Sequence, residues 1–202
     1  MKSICLLSVT FLLAICSCKE KSKTGSVKTE DPVSSYVTDS TEISNVIKEF
    51  YTWYSTHYEN FMKYDLYNGV KKKNEPPYQI DWAVVDKYQG YIHDSVPQLG
   101  ETFLTNQKIL LQKADSAFKV DNPDDVPAYF DFDWYTNTQE DPAYMLGELN
   151  KTKLWNIKVN GDNAIADVKG WDENGTKEAA QVIIVELKKE NGKWKISKTW
   201  TD

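Results

Sequence analysis

The chain has 202 residues, 24 basic against 30 acidic side chains for a formal net charge of −6, and a hydrophobic share of 41%, which fits one compact domain plus a tail. Every basic side chain is Lys; without Arg forks, and with an acidic balance, the usual means of gripping nucleic acid are missing, and nucleic acid is excluded as a partner. Cys5, Cys16 and Cys18 all lie near the start and His57 and His93 are the only His, so the folded part has no disulfide framework, zinc cage, Cys nucleophile or multi-His metal site.

Residues 1–17 read as an export signal. Lys2 supplies the positive flank, the apolar stretch from Ile4 to Ile15 is too short to span a bilayer permanently, and small Ser17 precedes Cys18. Ile15-Cys16-Ser17-Cys18 resembles the bacterial lipobox and makes Cys18 the lipidation site, since Cys16 would put bulky Ile15 at the cleavage position. A plain secretory peptide cleaved nearby is the alternative. Acyl chains on Cys18 would give a membrane attachment that the acidic surface does not. By resemblance to Gram-negative lipoproteins, Lys19 rather than Asp after the Cys implies the outer membrane; its periplasmic and surface faces both stay open.

Residues 18–41, rich in Lys, Ser, Thr, Glu and Asp without apolar period, are expected to be a disordered tether, and residues 42–202 a single domain. That domain opens on a capping pattern, Asp39 with Glu42 three residues on. Ile43, Val46, Ile47, Phe50, Trp53 and Tyr54 then recur at helical spacing on to Phe61, predicting a long amphipathic helix with an aromatic stripe. Gly69 and Lys71 to Lys73 close that element, and Pro76 and Pro77 keep the next stretch extended. Further helices are predicted over Asp81 to His93 and Glu101 to Phe118. A loop of about twenty residues, rich in Asp, Asn and Pro, runs from Asp121 to Pro142.

The remaining chain changes to strand chemistry. Trp155, Ile157 and Val159 alternate with polar residues, as do Ala164, Ala166 and Val168 up to Trp171; the Val182 to Leu187 run predicts a central strand, and Trp194 and Ile196 a Lys-rich edge strand. Asn-Gly pairs at 160, 174 and 191 predict the hairpin turns. The expected class is α+β, with N-terminal helices packed on a curved antiparallel sheet.

The order of elements, the YTWY stretch, the DFDWYTNTQED loop and the Asn-Gly turn before Lys-Trp-Lys-Ile resemble an uncharacterised bacterial lipoprotein family, domain of unknown function 3828, over about Ile43 to Trp200. Its members resemble the cone-shaped nuclear transport factor 2 fold. The family loop reads Asp-x-Asp-Pro followed by Gln-Asp; here Asp131 and Asp133 fit, Trp134 replaces the Pro, and Glu140 separates Gln139 from Asp141. The resemblance implies a fold and no reaction.

Two sites follow as candidates. Asp131, Asp133, Gln139 and Asp141 put several oxygens on one short segment, as a hard cation needs, although the EF-hand pattern is unmet; the competing reading has them accepting backbone amides to shape the loop. No metal or other cofactor is expected. Tyr51, Tyr54, His57 and Tyr58 on the first helix, with Trp155, Trp171 and Trp194 on strands, would line a cone suited to an apolar or sugar-like ligand, or else form plain core. No catalytic constellation is evident, so the expectation is a lipid-anchored envelope protein, not an enzyme, whose domain binds a protein partner. A small-ligand carrier and an immunity-type inhibitor of a secreted toxin are the alternatives.

Overall fold

The computed structural model describes residues 32–73, 75–120, 127–171 and 178–201, with the backbone alone for 32–36, 171 and 178–181. The signal at 1–17, Cys18, the first part of the tether and the turn at Asn174-Gly175 lie outside the described residues. In chain order the elements are α1 (Pro32–Phe61), β1 (Tyr67–Gly69), β2 (Tyr78–Ile80), α2 (Trp82–Ser95), α3 (Glu101–Ala117), α4 (Pro142–Lys151), β3 (Leu154–Asn160), β4 (Asn163–Trp171), β5 (Glu178–Glu190) and β6 (Lys193–Lys198).

The class is α+β, as the element types predict: four helices among the described residues lie with an open, curved antiparallel sheet, consistent with a nuclear transport factor 2-like arrangement. The sheet order is β3-β4-β5-β6, which makes β5 an interior strand and β6 an edge. Alternation sets one face inward: Ile157, Ala166, Val185 and Ile196 are buried, while Lys158, Ile165 and Glu186 are exposed. Irregularities in register after Val168 and Lys169, and between Glu186 and Leu187, interrupt the ladders, and such bulges increase local twist. The edge is not left bare, because Ile196 exchanges backbone bonds with the segment before α3: Gly100 N donates to Ile196 O at 3.1 Å and Ile196 N to Gln98 O at 2.9 Å.

α1, α3 and α4 pack on the sheet. The apolar period of α1 buries Ile43, Ile47, Phe50 and Tyr51 completely. Its start corrects the sequence reading. The helix begins at Pro32, so residues 32–41 are helical, and Asp39 sits inside it rather than at its cap. Asp39 Oδ1 instead accepts from Lys189 Nζ and the Trp194 indole, each at 2.8 Å, tying this end of α1 to β5 and β6. Burial alone would raise the Asp39 pKa, but those two bonds and the Lys189 charge outweigh it and hold the carboxyl below its ordinary value.

α2 starts where expected because Asp81 Oδ1 accepts from Val84 N at 3.1 Å. The start of α3 is unusual. Its N-cap, Gly100, has no side chain to offer, and Glu190, the last residue of β5, supplies the cap: Oε2 accepts from Glu101 N and Oε1 from Thr102 N, both at 2.9 Å. A Cβ at Gly100 would stand 2.6 Å from Glu190 Oε1, so glycine is what lets the carboxylate approach.

Three further features depart from the expected boundaries. α1 ends at Phe61, and β1 and β2 form a small antiparallel hairpin, Tyr67 opposite Ile80, where no strands are predicted. α4 occupies the end of what reads as loop and the residues after it: Asp141 accepts from Ala143 N at 2.7 Å as N-cap, and Pro142 fills the first helical turn, where its missing N–H costs nothing. The first hairpin turn is Gly161-Asp162, one residue later than predicted, since Asn160 still pairs with Asn163. At Asn191-Gly192 both residues take positive φ, 51° and 76°, as a type I′ turn requires.

Candidate functional site

The interior between helices and sheet is packed. Phe50, Tyr51, Val185, Leu187 and Ile196 are all at or near zero exposure, so of the two readings left open, cone and plain core, these residues follow the second. Tyr51 belongs to it: its ring is fully buried and its hydroxyl donates to Tyr135 O. Trp155 lies half-buried on β3 with Lys48 Nζ 5.4 Å above its ring, Trp194 is buried and bonded to Asp39, and the Trp171 side chain lies outside the described residues. His57 stacks on Trp53 at 4.5 Å, and its Nδ1 stands 2.8 Å from Trp53 O and from Thr56 Oγ1, which spends the ring on its own helix. Among the described residues it bonds no carboxylate of the loop.

Open space among the described residues lies elsewhere. A cleft of about 740 Å³ runs between the last turns of α1, the stretch leading into β1, and the loop 130–142. Among the described residues none of the four-stranded sheet borders it. Six of the sequence candidates do: Tyr54, Tyr58, Asp131, Asp133, Gln139 and Asp141. Tyr51, His57 and Trp155 do not.

The loop wall is built from local bonds to buried core. Asp133 N donates to Thr138 O at 2.9 Å and Asn137 N to Asp133 O at 2.7 Å, closing a turn in which Asn137 takes positive φ, 53°. Asp133 Oδ1 accepts from Tyr135 N at 2.7 Å, an Asx turn, and Gln139 Nε2 donates to Asp131 O at 2.7 Å. Outward anchors complete the wall. Trp134 Nε1 donates to Tyr129 O at 2.6 Å, and Thr199 Oγ1 donates to Trp134 O at 2.6 Å from beyond β6. Asp133 and Asp141 thus act on backbone amides, as the structural reading of the loop anticipates. Among the described residues no three His, Cys, Asp or Glu are grouped to hold a metal ion.

Tyr135 roots the loop in the core. Its ring contacts those of Phe50, Tyr54, Phe61 and Phe103 at centroid distances of 4.8 to 6.0 Å. Its hydroxyl lies 2.6 Å from that of Tyr88 and accepts from Gln107 Nε2 at 3.1 Å, all three groups being buried. At the cleft surface Tyr54 Oη donates to Asp133 Oδ2 at 2.7 Å. Burial, and then the Asp133 charge, push the Tyr54 hydroxyl far above its ordinary range, so it remains a donor. Burial raises Asp133 as well, against the opposing effect of the Tyr135 amide and the Tyr54 hydroxyl. With both carboxylate oxygens engaged, the pair is a fixed part of the wall.

The sequence reading misses much of the lining: Phe61, Tyr64 and Tyr67 on one side, Phe130, Phe132 and Glu140 on the other, and Asp65 at the edge. A signal for the loop side was present, since Phe130 and Phe132 alternate with Asp131 and Asp133; weighing the ring positions equally with the acidic ones finds it. The chain matches no family model, no characterised protein and no solved structure.

Proposed function

We propose that this chain is a lipid-anchored envelope protein, attached through Cys18, whose α+β domain is a non-catalytic module that binds a small ligand in the cleft between the end of α1 and the loop 130–142. The observation that carries this reading is the cleft itself: about 740 Å³, within the ordinary range of ligand sites, with many aromatic side chains on walls held by hydrogen bonds. It is favoured over the protein-partner reading because, among the described residues, the exposed large apolar side chains are spread along the chain: Val37 in α1, Met62 just after it, Val70 after β1, Ile109 on α3, Val120 after it, Tyr144 on α4 and Ile165 on β4. A binding role rather than catalysis is supported by the bonds in which Asp133 and Asp141 are engaged and by the position of His57 outside the cleft.

The test has two arms. Labelled palmitate is incorporated by the full chain expressed in a Gram-negative host and lost in Cys18→Ser; equal labelling of the two removes the anchor. A thermal-shift screen of small molecules on the full chain yields binders whose effect disappears in Tyr58→Ala. A screen in which every stabilising compound acts equally on both proteins removes the cleft.

A further inference from the structure

The nature of the lining narrows the ligand, an inference that rests on the reading of the cleft as a binding site. Rings face the space from both sides, Tyr58 and Tyr64 from the helix side and Phe130 and Phe132 from the loop. At the same space stand five carboxylates, Asp65, Asp131, Asp133, Glu140 and Asp141, and among the described residues no Lys or His borders it. Their charge is only partly compensated. Asp65 pairs with Lys73 at 2.9 Å, Asp133 receives Tyr54 and the Tyr135 amide, and Asp141 caps α4. The exposed carboxylates of Asp131 and Glu140 make no hydrogen bond or ion pair among the described residues.

Electrostatics and hydration then discriminate among ligands. An anion meets uncompensated negative charge in a partly desolvated space, which disfavours it. A small, strongly hydrated metal ion needs several converging oxygens, and no such group is assembled among the described residues. An ammonium or methylated ammonium group suits both parts of the lining: ring faces attract cations through their quadrupole, and carboxylates at the rim supply charge without demanding a fixed coordination geometry. The volume leaves room for an apolar stem against Phe130 and Phe132. We propose that the cleft binds a small organic cation, an ammonium or quaternary ammonium head on an apolar stem.

The experiment compares charged and neutral probes of equal shape on the full chain by calorimetry and Trp fluorescence, choline against 3,3-dimethyl-1-butanol and hexylammonium against 1-hexanol. The cation of each pair binds at least about tenfold more tightly, and its affinity falls as salt rises. The Asp131→Asn/Glu140→Gln variant, which alters only exposed side chains, weakens cation binding about tenfold and leaves the alcohols unchanged, whereas Tyr58→Ala weakens both members of a pair. Equal affinity for cation and alcohol overturns the charge preference and leaves the ligand cleft standing. No binding of any probe at millimolar concentration overturns the organic-cation proposal, and the screen on Tyr58→Ala then decides the cleft separately. Cation binding that survives both variants unchanged places it outside the cleft and overturns the proposal.

Discussion

Removing one oxygen from Tyr135 tests whether the loop wall is rooted in the core as the geometry indicates. Tyr135→Phe keeps the ring and its contacts with Phe50, Tyr54, Phe61 and Phe103 but deletes the hydroxyl that faces Tyr88 Oη at 2.6 Å and Gln107 Nε2 at 3.1 Å. Both groups lie where water is excluded; Tyr88 is 3% exposed and Gln107 0%. Leaving a buried polar group unpaired costs about 1–3 kcal/mol, and with two groups affected the loss is about 3 kcal/mol. For a domain of this size that lowers Tm by about 6–12 °C. Tyr88→Phe alone costs less, about 1 kcal/mol, since Tyr135 Oη keeps the Gln107 amide as its donor. The double variant leaves a single new orphan, Gln107 Nε2, and is expected to cost about 2 kcal/mol, less than the sum of the singles by about 2 kcal/mol. Urea unfolding followed by far-UV circular dichroism and fluorescence gives all three values in one thermodynamic cycle. A Tyr135→Phe loss under about 0.5 kcal/mol, or strict additivity in the double variant, would refute the buried Tyr88–Tyr135–Gln107 network.

Two further predictions concern carboxylates. Glu190→Gln weakens the cap that β5 lends to α3 by about 1 kcal/mol at neutral pH. Although burial pulls Glu190 up, its bonds from the Thr102 and Glu101 amides and the Lys188 charge hold its folded value below the unfolded one, so the contribution is full above the unfolded value and disappears as pH falls through the folded value. Urea midpoints of wild type and variant should therefore converge in acid; a constant gap contradicts the cap. Asp133 behaves oppositely: burial raises its folded value, so its share of stability is lost as pH rises from the unfolded to the folded value. An NMR titration should place Asp133 above its ordinary value of 3.8, and Tyr54→Phe, by removing a donor to the carboxylate, should move it higher; a downward move contradicts the 2.7 Å bond.

The regular elements were legible because their signals are periodic and local. Ile43, Ile47, Phe50, Tyr51 and Tyr54 mark one helical face, Asp81 marks a cap, and the Asn-Gly pair at 191 marks a hairpin with both residues at positive φ. What escaped depends on partners distant in sequence. Asp39 reads as a cap from its neighbours, and only folding brings Lys189 and Trp194 to it. Gly100 offers no capping side chain, and nothing nearby in sequence indicates that Glu190 supplies one. α4 is hard to see in the sequence because Pro142 ends a stretch rich in loop residues, although after Asp141 it marks a helix start equally well. The aromatic side chains of the first helix illustrate the same limit: periodicity places Tyr51 and Tyr54 on one face, but the position of the loop decides that Tyr51 is core and Tyr54 reaches the cleft.

The same loop explains why the cleft can be open without being soft. A long irregular segment would ordinarily have to lose conformational freedom on binding, a cost that subtracts from affinity. Here Tyr135 is inserted into the aromatic core, Thr199 Oγ1 holds Trp134 O at 2.6 Å, and Asp133 is bonded on one side to Tyr54 and on the other to its own turn. Much of that ordering cost is therefore met during folding. Phe130, Phe132, Asp131 and Glu140 stand on this anchored frame, and the half-buried rings and exposed carboxylates are the parts left available to a ligand. The division of labour is visible within one short stretch of chain: residues 133–135 fasten the wall, and residues 130–132 just before them present its chemistry.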